Sequence, residues 1–101
     1  MAFVKLGKVS DIPEGSGKMY ELNDRWIAVF KVNGELKAVD DICSHADAYL
    51  HEGELENYEI ECNAHGAKFD IRTGKVCSGP AVLPIDTFPI RINKGSFEVD
   101  I

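Results

Sequence analysis

The sequence predicts an all-β protein, a β-sandwich or barrel base carrying a small inserted segment. Short apolar or alternating runs recur along the chain, each bounded by a turn signal such as Asn23-Asp24, Asn33-Gly34 or Asn93-Lys94-Gly95. No stretch reads as a long helix, and many short strands with frequent turns point to a sandwich or barrel. The segment from about 42 to 81 interrupts this pattern and reads as an insertion between two flanking hairpins.

Phe3 to Leu6 reads as a first short strand, and the Pro and Gly content of Asp11 to Gly17 makes that stretch a loop. Lys18 to Leu22 is a second strand, which turns at Asn23-Asp24 into Arg25 to Val32. In that third strand Trp26, Ala28, Phe30 and Val32 share one face, while Ile27 and Val29 are apolar on the other. Apolar residues on both faces predict a central strand covered on both sides, with Trp26 in the core. Asn33-Gly34 is a two-residue hairpin signal, and Glu35 to Asp40 returns as the next strand, leading directly to Cys43. Ala46 to Asn57 is polar, with one helical turn expected around Ala48 to Glu52; Tyr58 to Glu61 alternates as a strand ending at Cys62. Lys68 to Ile71 and Lys75-Val76 form a small hairpin, and Cys77 to Ala81 reads as loop. Ile85 to Asn93 and Ser96 to Ile101 form a last antiparallel pair, in which Pro84 and Pro89 place the first member at an edge or bulge.

Bulk properties narrow the function. A chain of 101 residues is one domain, spanning 1–101, large enough for a real core yet small enough to gain from a metal staple. The formal charge of −6, with eleven scattered Lys and Arg, argues against a nucleic-acid partner and fits steering toward a basic face on another protein. Asp47, Glu52, Glu54 and Glu56 are the candidates for guiding a basic partner to the site, the alternative for each being a solvated loop residue. No apolar run reaches the length of a membrane span, and the first ten residues lack the basic start and apolar core of a signal peptide, so the expectation is a cytoplasmic protein without a membrane association. The expected state is a monomer. Three cysteines at this spacing do not suggest a disulfide framework.

The chemistry concentrates in two clips, Cys43-Ser44-His45 and Cys62-Asn63-Ala64-His65, with sixteen residues between His45 and Cys62. A free Cys is often a small buried hydrophobe and a lone His a hydrogen-bonded filler. Four such residues falling into two tight pairs are poorly explained as independent fillers. Two sulfur and two nitrogen donors suit either zinc or an iron–sulfur centre. A C-x-H pair is too closely spaced for one helix face, so each clip is a loop at a strand end. Common zinc spacings place two Cys in one clip and two His in the other, whereas each clip here has one of each. That arrangement allows both sulfurs to bind one iron and both nitrogens a second. A Cys2His2 zinc-binding structural domain is the alternative from another class.

The motif Cys43-x-His45, sixteen residues, Cys62-x-x-His65 resembles the Rieske motif. Gly66, the run Phe69 to Lys75 and Gly79-Pro80-Ala81 resemble the same family downstream, and the similarity extends from Phe3 to Ile101. It is strongest to the Rieske-type ferredoxins of bacterial multicomponent oxygenases, including ring-hydroxylating dioxygenases. The resemblance implies a β-sandwich base with a cluster-binding subdomain of about 42–81 and one [2Fe-2S] cluster per chain. By position, Cys43 and Cys62 would hold the inner iron and His45 and His65 the outer one, with the loops starting at Cys43, Cys62 and Ser78 around them. The implied role is an electron carrier and not an enzyme, passing electrons from a flavin-containing reductase to a terminal oxygenase. The small subunit of assimilatory nitrite reductases is an alternative within the same fold, ranked lower because its members often lack the four ligands.

Rieske proteins of cytochrome bc complexes carry an additional Cys in each clip, joined as a disulfide, where this chain has Ala48 and Ala64. They also place Ser and Tyr hydroxyls near the cluster sulfurs, where this chain has Ala67 and Phe69. Fewer hydrogen bonds to sulfur stabilise the reduced cluster less, which implies a low potential. Cys77 is expected to pack under the cluster loop, and His51 to be solvated. Replacing Cys43→Ser or His65→Ala should abolish the two-iron absorption and EPR signals and lower the melting temperature, because metal binding is coupled to folding. A variant retaining the full two-iron spectrum would remove that residue from the ligand set.

Overall fold

The computed structural model describes residues 2–42, 48–62, 66–78 and 83–101. Eleven strands lie within them: β1 (Phe3–Lys8), β2 (Gly17–Leu22), β3 (Arg25–Val32), β4 (Glu35–Asp40), β5 (Glu54–Glu56), β6 (Glu59–Glu61), β7 (Lys68–Asp70), β8 (Val76–Ser78), β9 (Thr87–Phe88), β10 (Ile90–Asn93) and β11 (Ser96–Asp100). They form three antiparallel sheets, ordered β1-β11-β10, β2-β3-β4-β9 and β5-β6-β7-β8. The only helical elements among the described residues are single 3-10 turns at Val9–Asp11 and Leu50–Glu52.

The period-2 pattern of β3 sets the layering. Ala28, Phe30 and Val32 enter one buried cluster with Val39, Leu50, Ile60, Cys62, Ala67, Phe69, Ile71 and Ile85. Ile27 and Val29 point the other way, into a cluster with Ile12, Leu36, Ala38, Phe97 and Val99. On β4 the same parity sends Val39 to the first cluster and Leu36 and Ala38 to the second. The β2-β3-β4-β9 sheet is therefore a middle layer, with β1-β11-β10 on one face and β5-β6-β7-β8 on the other. Ile27, Ala28, Val29 and Phe30 are all fully buried, and each large side chain so placed contributes about 1.5–3 kcal/mol of transfer free energy.

The turn chemistry follows the sequence. Asn23 and Asp24 (φ 53° and 62°), Asn33 and Gly34 (53° and 78°) and Lys94 and Gly95 (52° and 81°) all take the left-handed conformation required by two-residue hairpins. The carboxylate of Glu14, from the preceding loop, accepts the backbone N–H groups of Gly34 (3.0 Å) and Asn33 (2.6 Å), which holds its pKa below the ordinary range.

Three expectations need correction. The strand expected over Ile85 to Asn93 is two strands belonging to different sheets: Phe88 pairs with Ala38 of β4, whereas Ile90 pairs with Val99 of β11. Pro89 sits at the crossing, where its missing N–H interrupts the ladder and its carbonyl accepts from the Asp100 N–H at 2.9 Å. Glu54–Glu56 is a strand rather than polar linker, disguised by glutamates that disfavour strands on propensity. Cys77 and Ser78 belong to β8 rather than to a loop.

Between β7 and β8 the chain turns over Asp70 and Gly74. Asp70 Oδ1 accepts the Arg72 N–H (2.8 Å) and Nε–H (3.1 Å), and Oδ2 accepts from Nη2 (3.0 Å). The Arg72 side-chain bonds, aided by its backbone N–H, lower the Asp70 pKa against partial desolvation. A carboxyl depressed on folding contributes stability above its unfolded pKa, and that contribution fades as pH falls through the folded value. Asp70→Asn should accordingly lower the melting temperature most near neutral pH, with the gap to the parent narrowing in acid; a constant gap would assign the effect to geometry alone. Gly74 has φ +80°, and an added Cβ would lie 2.0 Å from the Ile85 carbonyl oxygen. Gly74→Ala should destabilise by about 1–3 kcal/mol from backbone conformation alone. It should also speed amide exchange at Ile85, whose N–H donates to the Gly74 carbonyl at 2.9 Å; unchanged exchange would contradict the steric reading.

Candidate metal centre

Of the four expected ligands, Cys62 is described; Cys43, His45 and His65 lie outside the described residues. Cys62 follows β6, is 1% exposed and carries a free thiol. Its backbone N–H donates to the Ala67 carbonyl (2.7 Å), and its carbonyl accepts from Gly66 N–H (3.0 Å). Cys62 is thereby tied to both Gly66 and Ala67, with Gly66 at φ +77°.

The stem of the first clip is equally well tied. Ile42 and Tyr49 form an isolated antiparallel bridge. The Leu50 N–H donates to the Asp41 carbonyl at 2.6 Å, and the Asp41 N–H donates to the Trp26 carbonyl at 2.9 Å. The stem of the third segment, 79–82, is tied from its exit side. The Asp40 N–H donates to the Asp86 carbonyl at 2.9 Å. Arg25 bridges both carboxylates, reaching Asp40 at 3.4 Å and Asp86 at 3.1 Å, with its guanidinium 4.8 Å from the centre of the Phe88 ring.

Ala48 and Leu50 from the first stem, Cys62 and Ala67 from the second, and Val76 and Ile85 from the third all belong to one hydrophobic cluster. Described residues near the borders of 43–47, 63–65 and 79–82 thus share one core with the buried Cys62. Two thiolates and two imidazoles match the donors of a Rieske centre, and the one described candidate ligand, Cys62, is dehydrated and held by two backbone bonds, so the residues present fit a [2Fe-2S] cluster. Ala67 and Phe69 are fully buried and offer no side-chain hydrogen-bond donor.

Three neighbouring residues are placed differently from expectation. His51 is not a solvated side chain: its backbone N–H donates to Asp41 Oδ1 (2.8 Å), and its Nδ1 lies 2.7 Å from Asp41 Oδ2. Trp26 is half-buried rather than core, its ring centre 5.1 Å from that of Tyr49 and its indole N–H donating to Glu21. Cys77 is exposed instead of packed under a loop. Partial desolvation and the carboxylates of Glu59 and Asp70 push its thiol pKa up, keeping it protonated and weakly nucleophilic.

Sequence reasoning missed the extent of one acidic face. In the β5–β6 hairpin Glu54 stands directly opposite Glu61, and Glu56 opposite Glu59. Glu59 also faces Asp70 and Glu61 faces Lys68 on β7. Period-2 geometry puts these side chains on one side of the sheet, opposite to Leu55, Ile60 and Phe69. The signal was the alternation in Glu54-Leu55-Glu56 and Glu59-Ile60-Glu61, whose register only the fold supplies.

Comparison with known proteins agrees with this construction. The family model of the Rieske [2Fe-2S] domain matches residues 2–89. The ferredoxin component of the p-cumate 2,3-dioxygenase system of Pseudomonas putida is 41% identical over 100 residues, 97% of this chain and 85% of that protein. The solved Sphingomonas yanoikuyae B1 ferredoxin superposes with a TM-score of 0.93 at 33% identity, covering 99% of both chains. A chain from the complex of reduced oxygenase and oxidized ferredoxin in carbazole 1,9a-dioxygenase gives 0.90 at 31% identity, covering 96% of this chain and 91% of that one. A putative nitrite reductase small subunit also superposes, with a TM-score of 0.88 over 100% of both chains, but at 16% identity it shares the fold alone. Family, full-length relatives and fold agree with the donor chemistry: the chain belongs to the Rieske [2Fe-2S] family, carries a [2Fe-2S] cluster and is an electron-transfer protein of the ferredoxin type.

Proposed function

We propose that this chain is the electron carrier of a multicomponent ring-hydroxylating dioxygenase system, taking electrons from a flavin-containing reductase and delivering them to a terminal oxygenase in the cytoplasm. The observation that carries the proposal is 41% identity, across nearly the whole chain, to a dioxygenase ferredoxin component. The complex of oxygenase and ferredoxin in carbazole 1,9a-dioxygenase, one chain of which matches this fold, supports the oxygenase as a partner. Residues from about 42 to 81 form the cluster-binding unit, in which Cys43 and Cys62 hold the inner iron and His45 and His65 the outer one.

The bound cluster supplies one-electron transfer. The residues around it supply a place to dock. Ile42 and Tyr49, paired across the stem of the first clip, are 46% and 38% exposed, large apolar side chains that a partner would dehydrate. The acidic β5–β6–β7 face and the net charge of −6 steer the chain toward a basic surface. None of the described residues needs to act as a base or nucleophile for this task.

Burial of Ala67 and Phe69, without hydroxyls, supports a low potential. Redox titration should give a midpoint near the low end of the Rieske range, about −150 mV. A clearly positive midpoint would overturn this assignment.

A further inference from the structure

Asp41 is the one charged residue among those described that is fully buried. Burying a carboxylate is costly unless it is thoroughly hydrogen-bonded. Here it accepts the His51 backbone N–H at 2.8 Å on one oxygen and meets His51 Nδ1 at 2.7 Å on the other. An ionised carboxylate can only accept, so the ring presents Nδ1–H to it. The backbone of Asp41 makes two further bonds, donating to the Trp26 carbonyl and accepting the Leu50 N–H. Asp41 is thus a four-bond junction joining β3, the end of β4 and the 3-10 turn at Leu50–Glu52. The His51 side chain is 24% exposed, and the Tyr49 ring lies 6.0 Å from its own, partly covering the pair.

This junction spans the stem of the first clip. Asp41 stands two residues before Cys43, and His51 six after His45. We propose that His51 is a positioning residue for the cluster: its Nδ1–H latches the buried Asp41 carboxylate and so fixes the spacing of the chain ends from which Cys43 and His45 reach the iron. The inference rests on those two residues being ligands. The 3-10 turn delivers the ring to the carboxylate, and the Ile42–Tyr49 bridge lies inside the latch.

The role is specific to one atom, which makes it testable. Asn places its amide nitrogen where His carries Nδ1, so His51→Asn restores the donor, whereas His51→Ala removes it. Partners that orient metal ligands typically affect metal retention about 10–100-fold when lost. Purified holoproteins would be incubated with EDTA, and loss of the visible iron–sulfur absorption followed in time. His51→Ala should lose it about tenfold faster than the parent or more, with His51→Asn staying within about twofold of the parent. Hydrogen exchange of holoprotein peptides covering 41–51 should quicken in His51→Ala and return toward the parent in His51→Asn. Equal retention in parent and His51→Ala, or equal loss in His51→Asn and His51→Ala, would overturn the proposal. So would altered exchange with unaltered retention. A parent protein lacking the two-iron spectrum would instead overturn the assignment of the ligands, a failure distinct from a red-brown parent that is indifferent to His51.

Discussion

Burial of β3 on both faces is the constraint on which this molecule depends. A strand with one dry face needs one partner layer, whereas Arg25–Val32 must have both sides covered, by different sheets. Ile27 and Val29 recruit Phe97 and Val99, so the C-terminal hairpin and β1 form one cover. Ala28 and Phe30 recruit Ile60 and Phe69, so the small β5–β8 sheet forms the other. The small sheet around the buried Cys62 is therefore half of the packing that keeps the middle sheet dry, a structural route by which metal binding at that thiol would be coupled to folding.

Most of this architecture was legible because it rests on local rules. Doubly apolar Arg25–Val32 announced a central strand, and Asn33-Gly34 announced its hairpin; both lie as expected. What was not legible required knowledge of partners. Pro89 signalled an interruption, but only pairing shows that the strand before it belongs to β4 and the one after it to β11. Glu54–Glu56 reads as linker on propensity and becomes a strand because Leu55 has Ile60 across from it and a core beneath. Tertiary pairing outweighs a weak local preference in such short strands.

The site divides along the same line. The Rieske family and its two-iron cofactor were readable from two clips because soft donors in mixed pairs constrain the chemistry strongly. The surroundings were not. His51 looked solvated because nothing in Leu50-His51-Glu52 reveals a buried carboxylate ten residues upstream. Trp26 looked internal because alternation assigns faces, whereas its position near a sheet end leaves it half-exposed beside Tyr49. Cys77 looked internal because free cysteines usually are, yet the irregular register between β7 and β8 leaves it on the surface.

The opposed glutamates of the β5–β6 hairpin carry a consequence for how the protein responds to its ionic surroundings. Like charges held directly across a ladder repel, so the hairpin is less stable alone than its backbone pairing permits. Added salt screens that repulsion and relieves the free protein, while it also weakens attraction to a basic partner. Ionic strength thus pulls stability and association in opposite directions. A basic partner seated on this face would do locally what salt does for the hairpin, and would relieve the small sheet that packs around the buried Cys62.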